Sequence, residues 1–388
     1  MQRATIKRIL TPHILQIFAV NRFEQIISFS CVMIPVVFVL LTGLIRPLYN
    51  WDMIGYVAAA YHQDGYRDIA LHHQTYADIK KIAPVEDFNT LIEGPYKAEL
   101  FKSPEALAQH VPFYAIKKGY IQLMRILSLC GLNYAQATYV ISAIFAALST
   151  LLLSQLMRAN AIKLYWLPFI VVAFNIPGLA TLSTPDAMAC FFSLLIIHLL
   201  QKKKKSGFVL AAFLPYIRTD FILLSWLVAL YAYKEKHNVL CGLTMIGSLI
   251  LMGLINVAHD SYSWLTLFNF TLVEYNPYPA DLVPLSGWEN YIRIYLRGIK
   301  KFLIHPHSLI YFIAFYVGWY SRKGFKVYNH DTALLLVLPL GFVVSHFLLF
   351  PSYLDRWFMF PVLLVLIWLL KAIALETKDC CYKQTMQA

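Results

Sequence analysis

Six charged residues stand where the surrounding sequence makes charge expensive. Asp52 lies seven positions past Ile45, the end of an uncharged run from 25 to 45. Asp186 follows the uncharged run 164–185, Arg218-Thr219-Asp220 interrupts the apolar stretch 206–233, and Asp355-Arg356 closes the run 332–354. A charge held within a bilayer-length apolar run costs about 2.5–3.5 kcal/mol or more, so it ordinarily faces a cavity and a partner. Carboxylates and guanidiniums gathered in one cavity provide a proton acceptor beside an anion site. Plainer readings exist for each residue alone. Ser183-Thr184-Pro185-Asp186 is also a helix-start sequence. Arg218 with Asp220, and Asp355 with Arg356, also suit structural ion pairs, and Asp52 suits a loop acid. What favours a site is that four separate elements aim ionisable groups at one region.

The elements that must position them are membrane helices. Of 388 residues, 59% are apolar and 14% charged, against roughly 25% charged in soluble domains. Uncharged runs near or above the roughly 18–20 residues of a spanning helix predict an all-α polytopic fold, one integral membrane domain over 1–388. About eight full spans are expected, at 25–45, 134–157, 164–182, 187–200, 238–257, 302–320, 332–350 and 357–370. The first reads as a signal anchor, with 9–20 lying along the interface. Two spans are short: 15 uncharged residues follow Asp186 and 14 follow Arg356, each rising only about 21–23 Å, which draws their acids below the surface. The stretch 206–233 holds apolar halves of 12 and 13 residues around Arg218-Thr219-Asp220. It reads as a broken helix pair, a backbone break tolerated at that depth only where it is buried in protein or lines a cavity.

Lys and Arg collect at Arg3, Lys7, Arg8 and Arg22, at Arg158 and Lys163, at Lys202 to Lys205, at Lys234 and Lys236, at Arg322, Lys323 and Lys326, and in the tail. This is the positive-inside pattern, and it places both termini on the cytoplasmic side. The opposite side then receives a long first loop, 46–130, and a second large segment, 258–301. The first loop ends at 113–130, where Phe113, Ile116, Ile121, Met124 and Ile126 alternate with Lys117, Lys118 and Arg125 as in an interfacial helix. The net charge of +12 belongs to these connections and not to a soluble basic domain, so nucleic acid is not a partner.

Other motifs are sparse. Cys31, Cys130, Cys190 and Cys241 show no metal spacing, and the adjacent Cys380 and Cys381 are either inert thiols or acylation sites. His72-His73 lacks further ligands, Asn269-Phe270-Thr271 fits a glycosylation acceptor by pattern alone, and no phosphate-cradling or nucleophile-elbow motif occurs. Tyr275, Tyr278, Trp288 and Tyr291 suit either sugar stacking or, more simply, interfacial anchoring.

In layout the chain resembles the GT-C superfamily of integral-membrane glycosyltransferases, the group of the protein mannosyltransferases and the aminoarabinose transferase. Trp51-Asp52 with Tyr56 is similar to the family's first-loop aspartate, and Ser183-Thr-Pro-Asp186 to its second outer-loop acid. Pro215-Tyr-Ile-Arg218-Thr-Asp220 is similar to its mid-membrane basic turn, and Asp355-Arg356-Trp-Phe-Met-Phe-Pro361 to its late charged motif. No Asp-x-Asp signature stands in the first loop and no soluble C-terminal domain follows, which leaves metal dependence and donor open.

The resemblance implies transfer of a sugar from a polyprenyl-phosphate donor, entering from the membrane lipids, to a hydroxyl of a lipid, glycan or protein acceptor. It implies inversion at the sugar carbon and a periplasmic site on a bacterial inner membrane. Asp52 would then be the base and Asp186 would share or place the acceptor. Arg218, Arg356, Lys97, Lys117 and Lys118 would hold the donor phosphate, supported by Trp51, Tyr56, Asp220 and Asp355. No metal ligand is assigned, although a divalent cation is left open as cofactor. A transporter or flippase for lipid-linked glycans is the alternative from another class, but transporters often show two repeated halves, and only one broken pair is visible. A non-catalytic scaffold fits less well, because it gains little from mid-membrane charge. A glycan polymerase or ligase is a near neighbour among enzymes.

Overall fold

The computed structural model describes the backbone of residues 2–320 and 330–385 and the side chains of 22–319 and 330–374. The side chains of Arg3, Lys7, Arg8, Arg322, Lys323, Lys326, Cys380 and Cys381 lie outside the described residues.

No strand occurs among the described residues. The helices are α1 (Gln2–Ile45), α2 (Trp51–Gln63), α3 (Asp68–Lys80), α4 (Val85–Ile92), α5 (Pro95–Lys102), α6 (Pro104–Ala115) and α7 (Lys118–Leu129). Then come α8 (Tyr134–Ala159), α9 (Leu167–Ala173), α10 (Ile176–Thr181), α11 (Asp186–Gln201), α12 (Ser206–Ala212), α13 (Leu214–Ile217) and α14 (Ile222–Lys234). The chain ends with α15 (Asn238–Ala258), α16 (Trp264–Leu272), α17 (Trp288–Ile304), α18 (Pro306–Tyr320), α19 (His330–Leu349) and α20 (Met359–Thr385).

Among the described residues four helices are long and apolar enough to cross a membrane: Arg22–Ile45 of α1, α8, α15 and α19. A fifth arises only if α17 and α18, bent by 80°, are joined. The expectation of about eight full spans is therefore corrected. Backbone breaks that hydropathy does not register are the reason. Asn175, in the left-handed conformation with φ 49° and followed by Pro177, splits 164–182 into α9 and α10. Pro306 breaks 302–320 at the end of α17. The apolar segments Asp186–Gln201 and Ser206–Ile217 are helical but short, and the described apolar part of α20 is Met359–Ala374. Residues 9–20, expected along the interface, continue the single helix α1.

Helix α8 is the axis of the bundle. It is launched by a capping box in which Asn133 and Gln136 satisfy each other's backbone, and it packs against α1, α10 and α11. Gly43 permits the approach of α1, since a Cβ there would press on Ala143 and on the Ala180 carbonyl. Helix α15, by contrast, is mostly exposed, with Val239, Leu243, Ile246, Ile250, Leu254 and Val257 outward, as a lipid-facing helix should be.

The stretch 206–233 is broken twice, at Phe213 and at Arg218, and then reverses. Ser225 Oγ on α14 donates to the carbonyl of Ala211 on α12 at 2.6 Å. Arg218 sits at the turn in extended conformation, φ −148° and ψ 122°. The first-loop helices α2 to α7 fold over this end of the bundle, α2 bearing eight consecutive buried residues from Met53 to Ala60.

Candidate active site

Five of the expected residues, Asp52, Asp186, Arg218, Asp220 and Arg356, converge in one line. Asp52 lies in the first turn of α2, which Asn50 caps by accepting from the Met53 amide at 3.2 Å. Asp186 opens α11, where a negative charge is favourable against the helix dipole. Its turn is pinned to α8 by Ser142 Oγ, which donates to the Thr184 carbonyl at 3.0 Å. Thr184 Oγ1 then donates to Asp186 Oδ2 at 2.7 Å.

Two arginines thread these acids into one line. Arg356 Nη1 donates to Asp52 Oδ2 at 2.6 Å, and its Nε lies 3.5 Å from Asp186 Oδ2. Arg218 Nη1 bonds Asp186 Oδ1, while its Nε and Nη2 grip Asp220 at 3.1 and 2.7 Å. His346 Nε2 on α19 closes the line on Asp220 Oδ2 at 3.1 Å, and at the other end Tyr114 donates to Asp52 Oδ1 at 3.4 Å. From Asp52 through Arg356, Asp186 and Arg218 to Asp220 the charges alternate, so each ion has an opposite neighbour, as burial demands, and Tyr114 and His346 close the two ends of the line.

The guanidiniums differ in what they can still do. Arg218 is 7% exposed overall and spends all its nitrogens on two acids, with Phe221 and Trp357 over its plane at 5.2 and 5.7 Å. It holds Asp186 and Asp220 in place. Arg356 spends Nη1 and Nε and keeps Nη2 uncommitted among the described residues. It is the better placed of the two to meet an incoming phosphate. The acids differ likewise: the Asp52 side chain is 26% exposed, that of Asp186 only 3%. Two polar atoms beside the line, Ser183 Oγ and His346 Nδ1, are buried without a hydrogen-bond partner, unusual in a finished core.

Lys117 joins this group from the loop between α6 and α7. Its Nζ donates to the Phe113 carbonyl. Burial, then the positive charge of Arg218, push its pKa down to about 8 against the pull of Asp220, Asp52 and Asp186. Tyr56 lines the group, edge-on to Tyr114 and Tyr120 at 4.9 Å. Trp51 packs on Tyr96 at 5.4 Å, and Tyr96 in turn donates to His110 Nε2 at 2.8 Å.

Other expected residues stand elsewhere. Lys97 is spent on the Thr90 carbonyl in a solvent-exposed bond of 2.7 Å. Lys118 points to the neighbourhood of Arg125 and His259. Asp355 turns away from its neighbour Arg356: its side chain is 56% exposed and bonds His305. The reason is local, since consecutive residues of an irregular turn project in different directions. Asn269 is buried and spends its amide on the Leu265 carbonyl and the Leu285 amide, so it cannot be a glycan acceptor in this fold. Tyr278 and Tyr291 use their hydroxyls on Glu99 and the Leu285 carbonyl, and Tyr275 packs against Tyr96 and Phe270, while Trp288 remains exposed.

Sequence reasoning missed Tyr114 and His346. A lone histidine inside the uncharged run 332–354 was the available signal, because a buried imidazole needs a partner.

His305, His307 and Asp355 place three ligand atoms within 4.8 Å of one another, a grouping reached by no sequence motif. Three of their four ring nitrogens and one oxygen of Asp355 are already engaged. His305 Nδ1 accepts from the His307 amide at 3.2 Å, which leaves the ring proton on Nε2, facing Asp355. His307 Nδ1 meets the Tyr353 hydroxyl at 3.0 Å. The grouping works as a latch that fastens the Tyr353–Arg356 turn to the start of α18. His72, the other metal candidate, is taken by the Leu100 carbonyl at 3.2 Å. A depression of about 580 Å³ lined by Glu24, Gln25, Ser28, Phe29, Arg158 and Leu164 shares no residue with the charged line.

Comparisons with protein-family models, with curated proteins and with solved structures gave no match.

Proposed function

We propose that this chain is a membrane glycosyltransferase that moves a sugar from a polyprenyl-phosphate donor to an acceptor hydroxyl. The observation that carries the reading is the pairing, at 2.6 Å, of a partly exposed carboxylate, Asp52, with a guanidinium, Arg356, that keeps a free edge. A base and an anion site side by side are what displacement of a phosphate by a hydroxyl requires. Asp52 takes the hydroxyl proton as the acceptor oxygen bonds the anomeric carbon. The bond from that carbon to the phosphate oxygen breaks, and its electron pair leaves on the polyprenyl phosphate. Arg356, with Lys117 near the same acids, receives the departing charge. Attack opposite the leaving group inverts the sugar carbon. Asp186 and Arg218 are positioning residues in this scheme, a refinement of the roles expected from sequence. The site faces away from the cytoplasm and both termini face it, in a plasma membrane of bacterial type.

The test is release of free polyprenyl phosphate from a polyprenyl-phosphate sugar extract by the purified full chain. Asp52→Asn should lower it at least about a hundredfold with the thermal midpoint unchanged. Wild-type rates in that variant would remove Asp52 from the mechanism. If no such extract yields free carrier, the class itself is overturned.

A further inference from the structure

Helix α17, Trp288–Ile304, divides its circumference into three stripes. Ile294, Gly298 and Phe302 face the protein: Ile294 packs with Phe268 and Phe350, and Gly298 sits so close to the Pro351 carbonyl that a Cβ would strike it. Ile292, Leu296, Ile299 and Leu303 are apolar and exposed. Arg293, Arg297, Lys300 and Lys301 form the third stripe at spacings i, i+4, i+7 and i+8, all exposed. None of the four makes an ion pair or hydrogen bond among the described residues. At roughly 100° per residue, each stripe takes about a third of the helix.

Helix α18 is apolar and exposed at Leu309, Phe312, Ile313, Phe315 and Trp319, and α17 is bent from it by 80°. If α18 follows the bilayer normal, α17 lies nearly in the membrane plane. Its apolar stripe then faces acyl chains and its basic stripe the headgroup layer. Four unpaired cations on the side where the charge rule expects few need a compensating anion.

We propose that the basic stripe of α17 is a binding surface for the phosphate headgroups of anionic lipids in the bilayer. The same helix meets the segment that leads from α19 to Arg356: Gly298 lies against Pro351, and Tyr295 donates to the Leu348 carbonyl in the last turn of α19 at 2.5 Å. Anionic lipid thus collects beside the turn that carries the site's freest guanidinium. The surface stands independently of the transferase reading, and its test needs no transfer assay.

The full chain is reconstituted in phosphatidylcholine bilayers with trace spin-labelled phosphatidylglycerol or spin-labelled phosphatidylcholine, and the motionally restricted fraction of each is compared. Wild type should restrict the anionic lipid more, by about threefold at low salt, with the excess shrinking as ionic strength rises. R293Q/R297Q/K300Q/K301Q should fall toward parity, while the charge-preserving R293K/R297K/K300R/K301R should not. Should the neutral variant fail to fold, R297Q and K300Q singly should each lose part of the excess. Equal selectivity in neutral and wild-type chains overturns the proposal. So does loss of the excess to inorganic phosphate beyond the effect of sodium chloride at equal ionic strength, which would make this a site for free phosphate.

Discussion

The two ends of α11 carry similar residues in opposite conditions. At its first residue Asp186 sits in the alternating line from Tyr114 to His346. At its last, about 22 Å away, Gln201 joins a second polar knot. There Lys371 Nζ donates to Asp331 Oδ2 at 2.5 Å and to Asn160 Oδ1 at 3.1 Å, and Gln201 Nε2 donates to Asp331 Oδ1 at 3.2 Å. Every member has its partner, and the knot ties α8, α11, α19 and α20 into one end of the bundle. Buried polar atoms without a partner occur at both ends, Ser183 Oγ and His346 Nδ1 at one and His198 Nδ1 at the other, so what sets the Asp186 end apart is Arg356, which keeps one nitrogen uncommitted among the described residues. Buried ion pairs alone therefore do not mark a site. Ion pairs with capacity left over do.

The largest break in that comparison is at Arg218. Arg218→Met would leave Asp186 only its 3.5 Å contact with Arg356 and Asp220 only its bond to His346, a loss of about 3 kcal/mol. Thermal unfolding of the purified variant should show it, together with loss of transfer. At the other end Lys371→Met should cost only about 1–2 kcal/mol, because Lys371 and Asp331 are about a quarter and a third exposed and water screens them. Transfer at permissive temperature should stay within about twofold of wild type, since such a small change lies far from every group to which the proposed reaction assigns a role. A Lys371→Met chain that folds normally and transfers nothing would erase the distinction between the two ends.

Lys117 offers a pH signature at the site end alone. Its pKa, pushed down to about 8 mainly by burial, means the ammonium is present below that pH and lost above it. If the ammonium receives departing charge, transfer should decline above about pH 8. Lys117→Arg should carry that limb beyond the measurable range, and Lys117→Met should abolish it while lowering the plateau about tenfold, or roughly 1.4 kcal/mol. A wild-type profile that is flat between pH 7 and 10 would free Lys117 from the mechanism.

The charged line was legible where charge interrupted apolar sequence. Asp52, Asp186, Arg218 and Arg356 come from segments far apart in the chain, and each stood out because lipid-facing sequence tolerates so little charge. Neutral partners gave no such contrast: Tyr114 hides among first-loop aromatics, and His346 inside a run that counts as uncharged. Lys97 and Lys118 were drawn in by position, and Asp355 by its neighbour, because sequence does not say which way a side chain leaves a turn. The helical class was legible from hydropathy, but the span count was not. Hydropathy averages over the left-handed Asn175 and over Pro306, where backbone geometry ends the helix.

The smallest perturbation tests whether the Tyr114 end of the line matters. Gly55 lies one turn along α2 from Asp52, and a Cβ there would run into the Tyr114 ring. Glycine at 55 is therefore what lets α6 come near enough for the Tyr114 hydroxyl to reach Asp52 at 3.4 Å. Gly55→Ala should displace that ring at an overpacking cost of about 1 kcal/mol, while the arginine contacts of Asp52, made through its other oxygen, remain. If Tyr114 orients the base, transfer should fall by about threefold to tenfold with the pH limb of Lys117 in place. Tyr114→Phe, which removes the hydroxyl and keeps the ring, should then give the same loss without the thermal cost. Unchanged transfer in Tyr114→Phe would end the functional line at Asp52 and leave the ring as packing alone.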